Sequence, residues 1–316
     1  MLVAVGCVGR PPEKLLTPAP VAPTATAPTA SAPATPLPKP GDAKVMVIVE
    51  ENREYGEIIG KRTDAPYLNA LADQFGLAAS YDAGYPVSCP SLPAYLLMTQ
   101  GTTSDICDND PPPKHRLRGD NIFHQVASAG LQWRSYAESM SGNCQLTRSG
   151  SYAPKHVPAP YYTNEAANCA RWSVPLGTES AGAFQADLAV GTLPAYAFVT
   201  PDLCNDMHGC DSKSQRSGAE EIKAGDDWLA RWMPKIFDSP DFRAGRLVVL
   251  ITWDEGSDSS NHVATLVISP TTRGIRSEAP YTHCSLLRTT EEILGLPPLG
   301  CAASARSMRA EFRLDR

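Results

Sequence analysis

Two uninterrupted apolar runs, residues 44–50 and 246–252, constrain the fold of this 316-residue chain most strongly. A run without polar alternation is typical of a strand buried on both faces, as in a parallel sheet. Other segments show shorter strand patterns or helical periodicity. The predicted strands are 44–50, 133–137, 196–200, 246–252 and 263–269, and the predicted helices are 66–75, 93–99, 121–129, 220–237 and 286–294. Because strands alternate with helices, we predict an α/β fold with a mostly parallel central sheet and helices on both faces.

The first 43 residues differ from the rest in composition. Residues 17–43 are rich in proline, alanine and threonine, which predicts a disordered, extended tether. Within residues 1–16, the stretch from Leu2 to Cys7 resembles a lipobox, in which small residues precede a lipidated cysteine, so this part would be a signal remnant. An accidental cysteine in a frayed terminus is the alternative. Residues 44–316 are predicted to form one folded domain.

Nine cysteines indicate an oxidising compartment. Eight lie in the predicted domain, an even number that favours disulfides over buried thiols, and Cys7 stands apart. No CxxC pair is present, which argues against a zinc ribbon. Eight cysteines can pair in many ways, so the sequence leaves the connectivity open. Short separations favour Cys204–Cys210, Cys284–Cys301, Cys89–Cys107 and Cys144–Cys169.

Charge and hydropathy argue against nucleic-acid binding and against a membrane-spanning helix. The formal net charge is −6, whereas a nucleic-acid-binding surface needs a basic footprint, so no nucleic acid is expected. The chain has no run of 18 apolar residues, so no membrane-spanning helix is predicted, and membrane attachment would go through a lipidated Cys7. No feature predicts a protein partner.

Polar residues follow the predicted strands at the point where each strand ends. Glu51 and Asn52 follow the first strand, residues 201–208 follow the one at 196–200, and Asp254 and Glu255 follow the one at 246–252. Ligand sites of open α/β sheets lie beyond the carboxyl ends of the strands. We therefore expect carboxylates, an amide and an imidazole to meet at this edge.

Seven short blocks resemble, in the same order, motifs of the bacterial phosphoesterase family of acid phosphatases and phospholipases C. They are VEENREY at 49–55, CPSLPAYL at 89–96, KHVP at 155–158, FVTPDLCNDMH at 198–208, TWDEG at 252–256, NHV at 261–263 and YTHCSLLRTTEEILG at 281–295. The resemblance implies an alkaline-phosphatase-like fold, metal-assisted hydrolysis of phosphate esters, and a catalytic domain over 44–316. Three positions depart from the family pattern, because Ala94, Val157 and Asp202 stand where asparagine is usual.

The resemblance also implies a metal centre. Glu51, Asn52, Asp254 and Glu255 would ligate one divalent ion together with the hydroxyl of Ser91, which would be the nucleophile. Serine is a poor nucleophile at neutral pH and needs such activation. Oxygen ligands favour calcium, magnesium or manganese, with zinc as an alternative. Taken alone, Ser91 also fits a helix N-cap before Pro93.

Further polar residues in the blocks are candidates for contact with the substrate. His208 and His262 would bind phosphoryl oxygens or protonate the leaving oxygen, and Asp206 would orient an imidazole. His156, His283 and Asp202 are candidate substrate-binding residues. A packed loop position is the alternative for His156, and a helix cap is the alternative for His283.

These features predict a metal-dependent hydrolase of small phosphate esters, of the acid phosphatase type, secreted or lipid-anchored at a bacterial cell surface. A phosphodiesterase or phospholipase C acting on lipid headgroups is the alternative enzyme. A non-catalytic extracellular binding module with the same fold is the alternative from another class. The retained Ser91 and the four metal-ligand candidates argue against that module.

Overall fold

The computed structural model describes residues 42–210 and 216–314. Eight strands form one sheet in the order β4-β3-β5-β1-β6-β7-β2-β8. Their bounds are β1 Lys44–Glu50, β2 Gly76–Asp82, β3 Trp133–Ala137, β4 Ser173–Pro175, β5 Tyr196–Thr200, β6 Leu247–Trp253, β7 Thr265–Ile268 and β8 Ile275–Thr282. Every pairing is parallel except those of β7, which runs antiparallel to β6 and β2. The predicted mostly parallel sheet is confirmed.

Nine α-helices occur in the described part of the chain. They are α1 Tyr55–Ile58, α2 Pro66–Gln74, α3 Leu92–Gln100, α4 Ile122–Ser128, α5 Ala166–Trp172, α6 Ala183–Val190, α7 Gly218–Asp238, α8 Pro240–Arg243 and α9 His283–Leu294. Helix α3 packs against α4 and α9, while α7 packs against α2, α6 and α8. Consecutive residues of β1 and β6 are buried although they point alternately to opposite faces, so both faces of the sheet are covered.

Three strands, β2, β4 and β8, are absent from the sequence-based prediction. The helix predicted over 66–75 is α2, which ends at Gln74, and Gly76 begins β2. A Cβ atom at Gly76 would lie 2.6 Å from the ring of Phe312 and 2.8 Å from the carbonyl of Val267, so the glycine permits close packing here. Strand β8 lies at the sheet edge and alternates between exposed and buried positions. Its polar and proline-containing sequence hides the strand pattern.

All four predicted disulfides are present: Cys89–Cys107, Cys144–Cys169, Cys204–Cys210 and Cys284–Cys301. The first lies just before Ser91, and the third closes the loop that carries Asp206 and His208. In the described residues we find no helix whose length and apolar character would let it cross a bilayer. The lipobox resemblance, Cys7 and most of the predicted tether lie outside the described residues.

The sheet order explains where the candidate site forms. Strand β1 lies between β5 and β6 and is parallel to both, so the carboxyl ends of the three strands are neighbours. The segments after these ends begin with Glu51, Pro201 and Asp254. The backbone joins them, because the amide of Glu51 donates to the carbonyl of Asp206 at 2.7 Å and that of Asp254 to the carbonyl of Glu50 at 3.0 Å.

Candidate active site

Ser91 lies buried at the start of α3, where its side chain faces two carboxylates. Its Oγ is 3.2 Å from Oε2 of Glu51 and 3.4 Å from Oε1 of Glu255. The ammonium group of Lys155 donates to the same Oγ at 3.0 Å. The side chain makes no capping hydrogen bond to the backbone of α3, although Ser91 occupies the N-cap position. The cap alternative therefore does not account for this hydroxyl.

Glu51 is the buried centre of the cluster. Its Oε1 accepts a hydrogen bond from the hydroxyl of Tyr95 at 2.7 Å, and its Oε2 is 3.8 Å from the ammonium nitrogen of Lys155. Burial by itself would raise the pKa of this carboxyl, but His156 and Lys155 outweigh it and hold the pKa well below its usual range. Glu51 is accordingly an anion beneath Ser91.

Asn52 links the ends of β1 and β6. It adopts a left-handed backbone conformation with φ of 43°, which asparagine tolerates better than most residues. In this conformation its backbone amide donates to Oδ1 of Asp254 at 3.1 Å, and its side-chain Nδ2 donates to Oε1 of Glu255 at 2.7 Å. The hydroxyl of Tyr85 holds the other oxygen of Glu255 at 2.6 Å. These bonds order the acidic side chains before any ligand binds.

The residues present fit a divalent cation. Oδ1 of Asn52 and Oδ2 of Asp254 are buried and have no hydrogen-bond partner. Buried polar atoms normally have one, so these two oxygens indicate a bound ion or water. Burial, followed by repulsion from Glu51, raises the pKa of Asp254 well above its usual range. A cation would offset both effects. The five predicted ligands, which are Glu51, Asn52, Ser91, Asp254 and Glu255, all offer oxygen and belong to one connected network.

A second group of candidate ligands shares Glu51. One ligand atom each of Glu51, His156 and Asp206 lie within 4.8 Å of one another. Nε2 of His156 is 3.0 Å from Oε1 of Glu51 but outside hydrogen-bond geometry, and Nδ1 is 3.6 Å from Oδ2 of Asp206. The ring stacks on Tyr95 and is buried, which lowers its pKa. The structure therefore places His156 in the interior, between Glu51 and Asp206.

Asp206 and His208 occupy the disulfide-closed loop after β5. Oδ1 of Asp206 accepts from the backbone amide of His208 at 3.0 Å, so the carboxylate orients the loop, and the imidazole nearest to it is that of His156. Burial, then the charge of Glu51, raises the pKa of Asp206. The side chain of His208 is 50% exposed, with Nδ1 3.8 Å from Oε2 of Glu51. His208 is thus a histidine at the mouth of the cluster.

Three predicted substrate or catalytic residues make their contacts elsewhere. The ring of His262 stacks on Tyr55 at 4.6 Å, and its Nε2 donates to the carbonyl of Ala79 at 2.8 Å. His283 is fully buried and bonded to the backbone of Asp254. Asp202 accepts from the amide of Cys204 at 2.9 Å and from the hydroxyl of Ser139, which makes it a turn residue. Each of these three residues is thus fixed by contacts within the protein.

Lys155 is the site residue that sequence reasoning missed. It stands 64 positions from Ser91 in a short 3₁₀ turn, Pro154–His156, yet its Nζ is 3.0 Å from Oγ of Ser91. Lys155 is the first residue of the KHVP block, so its position beside His156 in that motif is the signal that points to it. Two clefts reach the cluster. One of about 730 Å³ is lined by Lys155 and His208, and one of about 640 Å³ by Asn52, His208 and Glu255.

Comparison with known proteins defines the class to which this fold and site belong. A model described as the Phosphoesterase family matches residues 61–297, which include Ser91, Lys155 and Asp254. Among solved structures, a protein of the alkaline phosphatase superfamily from Vibrio parahaemolyticus aligns with a TM-score of 0.59 and 10% sequence identity, covering 88% of this chain and 74% of that chain. That likeness confirms the alkaline-phosphatase-like fold.

Curated relatives agree with the family match. The chain is 30% identical over 268 residues to a phosphatidylinositol-3-phosphatase of Mycobacterium tuberculosis, covering 84% of this chain and 81% of the relative. It is 25% identical over 229 residues to an acid phosphatase of Aspergillus fumigatus, covering 68% of this chain and 48% of the relative, so it spans about half of that protein. The chain belongs to the phosphoesterase family and is a phosphoric ester hydrolase.

Proposed function

We propose that this protein is a metal-dependent phosphomonoesterase in which Ser91 is the nucleophile. The observation that carries the proposal is the placement of Oγ of Ser91, within 3.4 Å of the carboxylates of Glu51 and Glu255 and 3.0 Å from the ammonium of Lys155. These groups come from four separate segments of the chain. A buried hydroxyl that contacts two carboxylates and a lysine ammonium group has the surroundings expected of an activated nucleophile.

The metal would be held by Glu51, Asn52, Ser91, Asp254 and Glu255. The two buried oxygen atoms without hydrogen-bond partners, on Asn52 and Asp254, support this set. Their hard oxygen chemistry favours calcium, magnesium or manganese, with zinc as the alternative. When bound, the ion supplies Lewis acidity toward a phosphoryl oxygen.

The protein's own residues divide the remaining work. Oγ of Ser91 forms a bond to phosphorus while the bond to the leaving oxygen breaks, and the serine proton passes toward the carboxylate of Glu51 or Glu255. His208, at the mouth of the cluster, donates a proton to the leaving oxygen. Water then attacks the phosphoserine and gives one proton to His208, while the protonated carboxylate returns its proton to Oγ of Ser91 as phosphate leaves. Tyr95 and Tyr85 hold Glu51 and Glu255 in place throughout.

Phosphate monoesters are favoured as substrates over diesters. Relatives named as acid phosphatases and as a phosphatidylinositol-3-phosphatase support a monoester, and the latter makes a phosphorylated lipid headgroup worth assaying. A phosphodiesterase or phospholipase C activity is the second candidate. The four disulfides support an extracytoplasmic location, where lipidation of Cys7 would anchor the protein. Mass spectrometry of the N-terminal peptide from the native host would test that anchor.

A paired assay tests the proposed function directly. Purified protein would be given 4-nitrophenyl phosphate and 4-nitrophenyl phosphorylcholine, with bound metal measured by mass spectrometry on the same sample. We expect turnover of the monoester to exceed that of the diester and to fall after chelation, with recovery when metal is returned. Preference for the diester would favour the phospholipase C alternative. A metal-free protein with full turnover would refute the metal-dependent mechanism.

A further inference from the structure

The side chain of Lys155 is held in a fixed position against Ser91. The backbone around it is closed by hydrogen bonds from His156 to Ala153 at 3.2 Å and from Val157 to Pro154 at 3.0 Å. The next residue, His156, is buried against Tyr95 and anchors the turn. The lysine side chain is only 20% exposed, so it has little freedom to turn into solvent.

The contacts of Lys155 indicate more than neutralisation of the acidic cluster. Its Nζ is closer to the neutral hydroxyl of Ser91, at 3.0 Å, than to the nearest oxygen of Glu51, at 3.8 Å. An ammonium group has three N–H donors. One donor serves Ser91, and Lys155 also lines the cleft of about 730 Å³ that opens beside it. Donors therefore remain for a ligand that enters from the cleft and approaches the serine.

We propose that Lys155 binds the phosphoryl group under transfer and makes the site select dianionic phosphate monoesters over monoanionic diesters. The proposal rests on Ser91 being the nucleophile, because a phosphorus atom bonded to Oγ would bring its oxygens beside Nζ. A monoester spreads two negative charges over three non-bridging oxygens, whereas a diester has one charge on two. A fixed positive charge in a partly desolvated site stabilises the more highly charged group more strongly.

The test compares two esters in three variants. Lys155→Gln keeps a hydrogen-bond donor of similar reach but removes the charge, and Lys155→Arg keeps the charge. Lys61→Gln, at an exposed lysine between α1 and α2, is the matched control. Loss of one charge-assisted hydrogen bond costs roughly 10- to 100-fold in rate. We expect Lys155→Gln to lower kcat/KM for 4-nitrophenyl phosphate about 100-fold and that for methyl 4-nitrophenyl phosphate less than about tenfold.

The expected signature is a fall of at least about tenfold in the ratio of the two kcat/KM values, with partial recovery in Lys155→Arg and no change in Lys61→Gln. Bound metal should stay at the wild-type level in Lys155→Gln. Equal losses for both esters, or loss of metal, would show that Lys155 only supports the site, and the selectivity proposal would be wrong. If Ser91→Ala retained turnover, the proposed nucleophile would fail instead, which separates the two outcomes.

The wild-type protein could turn over the diester too slowly for its kcat/KM to be measured. In that case, inhibition of monoester hydrolysis by a dianion and by a monoanion provides the same comparison. Inorganic phosphate at pH 8 is mainly a dianion, while dimethyl phosphate is a monoanion. We expect Lys155→Gln to raise the inhibition constant of phosphate at least about tenfold more than that of dimethyl phosphate. Equal changes in the two constants would overturn the proposal.

Discussion

His283 holds the backbone of Asp254 from beneath the candidate site. Its Nε2 donates to the carbonyl of Asp254 at 2.6 Å, and its Nδ1 accepts from the hydroxyl of Tyr81 at 3.0 Å. Because a carbonyl only accepts, Nε2 must carry the proton. Burial lowers the pKa of His283 to about 4, so the ring is neutral near pH 7 and suited to this pair of bonds. A histidine that is conspicuous in the sequence thus positions a candidate metal ligand.

Replacing His283 should weaken both stability and metal binding. His283→Phe keeps the ring volume but leaves the carbonyl of Asp254 buried without this hydrogen bond, at a cost of about 1–3 kcal/mol, and also removes the bond from the hydroxyl of Tyr81. We expect a lower midpoint in urea unfolding and a lower metal affinity. His124→Phe, at a histidine whose side chain is 41% exposed, is the control. Unchanged metal affinity in a destabilised His283→Phe would restrict the residue to a structural role.

Removing the hydroxyl of Ser91 should abolish turnover while leaving the fold intact. Only one oxygen atom is lost, and the helix start does not depend on it because the side chain makes no capping bond. Loss of a covalent nucleophile typically costs several orders of magnitude in kcat. Steady-state kinetics of Ser91→Ala, together with circular dichroism, would check this. Retention of most of the wild-type rate would refute the assignment.

Removing one proposed metal ligand should lower bound metal and activity together. Asp254→Ala and Glu51→Ala each delete a buried carboxylate from the oxygen set. Asp238→Ala is the control, because its carboxylate lies on α7 with a side chain that is 73% exposed. Metal analysis and kinetics on the same preparations provide the measurement. Full metal occupancy in both ligand variants would show that the ion is held elsewhere.

The Cys204–Cys210 disulfide should matter more for activity than for stability. It closes a loop with a separation of 6 that contains Asp206 and His208, whereas Cys284–Cys301 spans 17 and encloses none of the proposed site residues. Chain-entropy estimates give about 2 kcal/mol for the short loop and about 3 kcal/mol for the longer one. We expect the alanine pair at 204 and 210 to lose more kcat/KM, and the pair at 284 and 301 to lose more thermal stability. The reverse pattern would argue against preorganisation of the site by the short loop.

Glu291 should make the protein less stable as the pH rises. Burial is the main cause that raises the pKa of this carboxyl to about 8, compared with about 4.3 in an unfolded chain. A raised acid pKa means that the protonated form stabilises the fold. This contribution is complete below about pH 4 and is lost as the pH rises through about 8.

Glu291→Gln should reduce that pH dependence. In the wild type, the backbone amide of Leu299 donates to Oε1 of Glu291 at 2.8 Å. The side-chain oxygen of glutamine can accept the same hydrogen bond, but glutamine has no charge to bury. Urea unfolding at pH 5 and pH 8.5 should show a smaller drop in the free energy of unfolding for Glu291→Gln than for the wild type. Glu311→Gln, at an exposed position, should follow the wild type. Equal drops in all three proteins would contradict the raised pKa.

Much of the candidate site could be predicted because its residues follow recognisable strands or lie within short motifs. Strand β1 and strand β6 are long apolar runs, and Glu51, Asn52, Asp254 and Glu255 come directly after them. The disulfides followed from sequence proximity. Strand β4 escaped detection because it has only 3 residues, and strands β2 and β8 escaped it because polar and small residues interrupt their apolar pattern.

The sequence by itself determined the α/β class, the family and the collection of ligand types at the strand ends, since these depend on local hydrophobic pattern and on short motifs. Only the tertiary structure decided which polar residues reach Ser91. It brought Lys155 to the hydroxyl, buried His156 behind Glu51 and turned His262 toward Tyr55 and Ala79. The physical reason is that these contacts join segments far apart in the chain. Their geometry follows from loop conformation and side-chain packing, which spacing along the sequence does not encode.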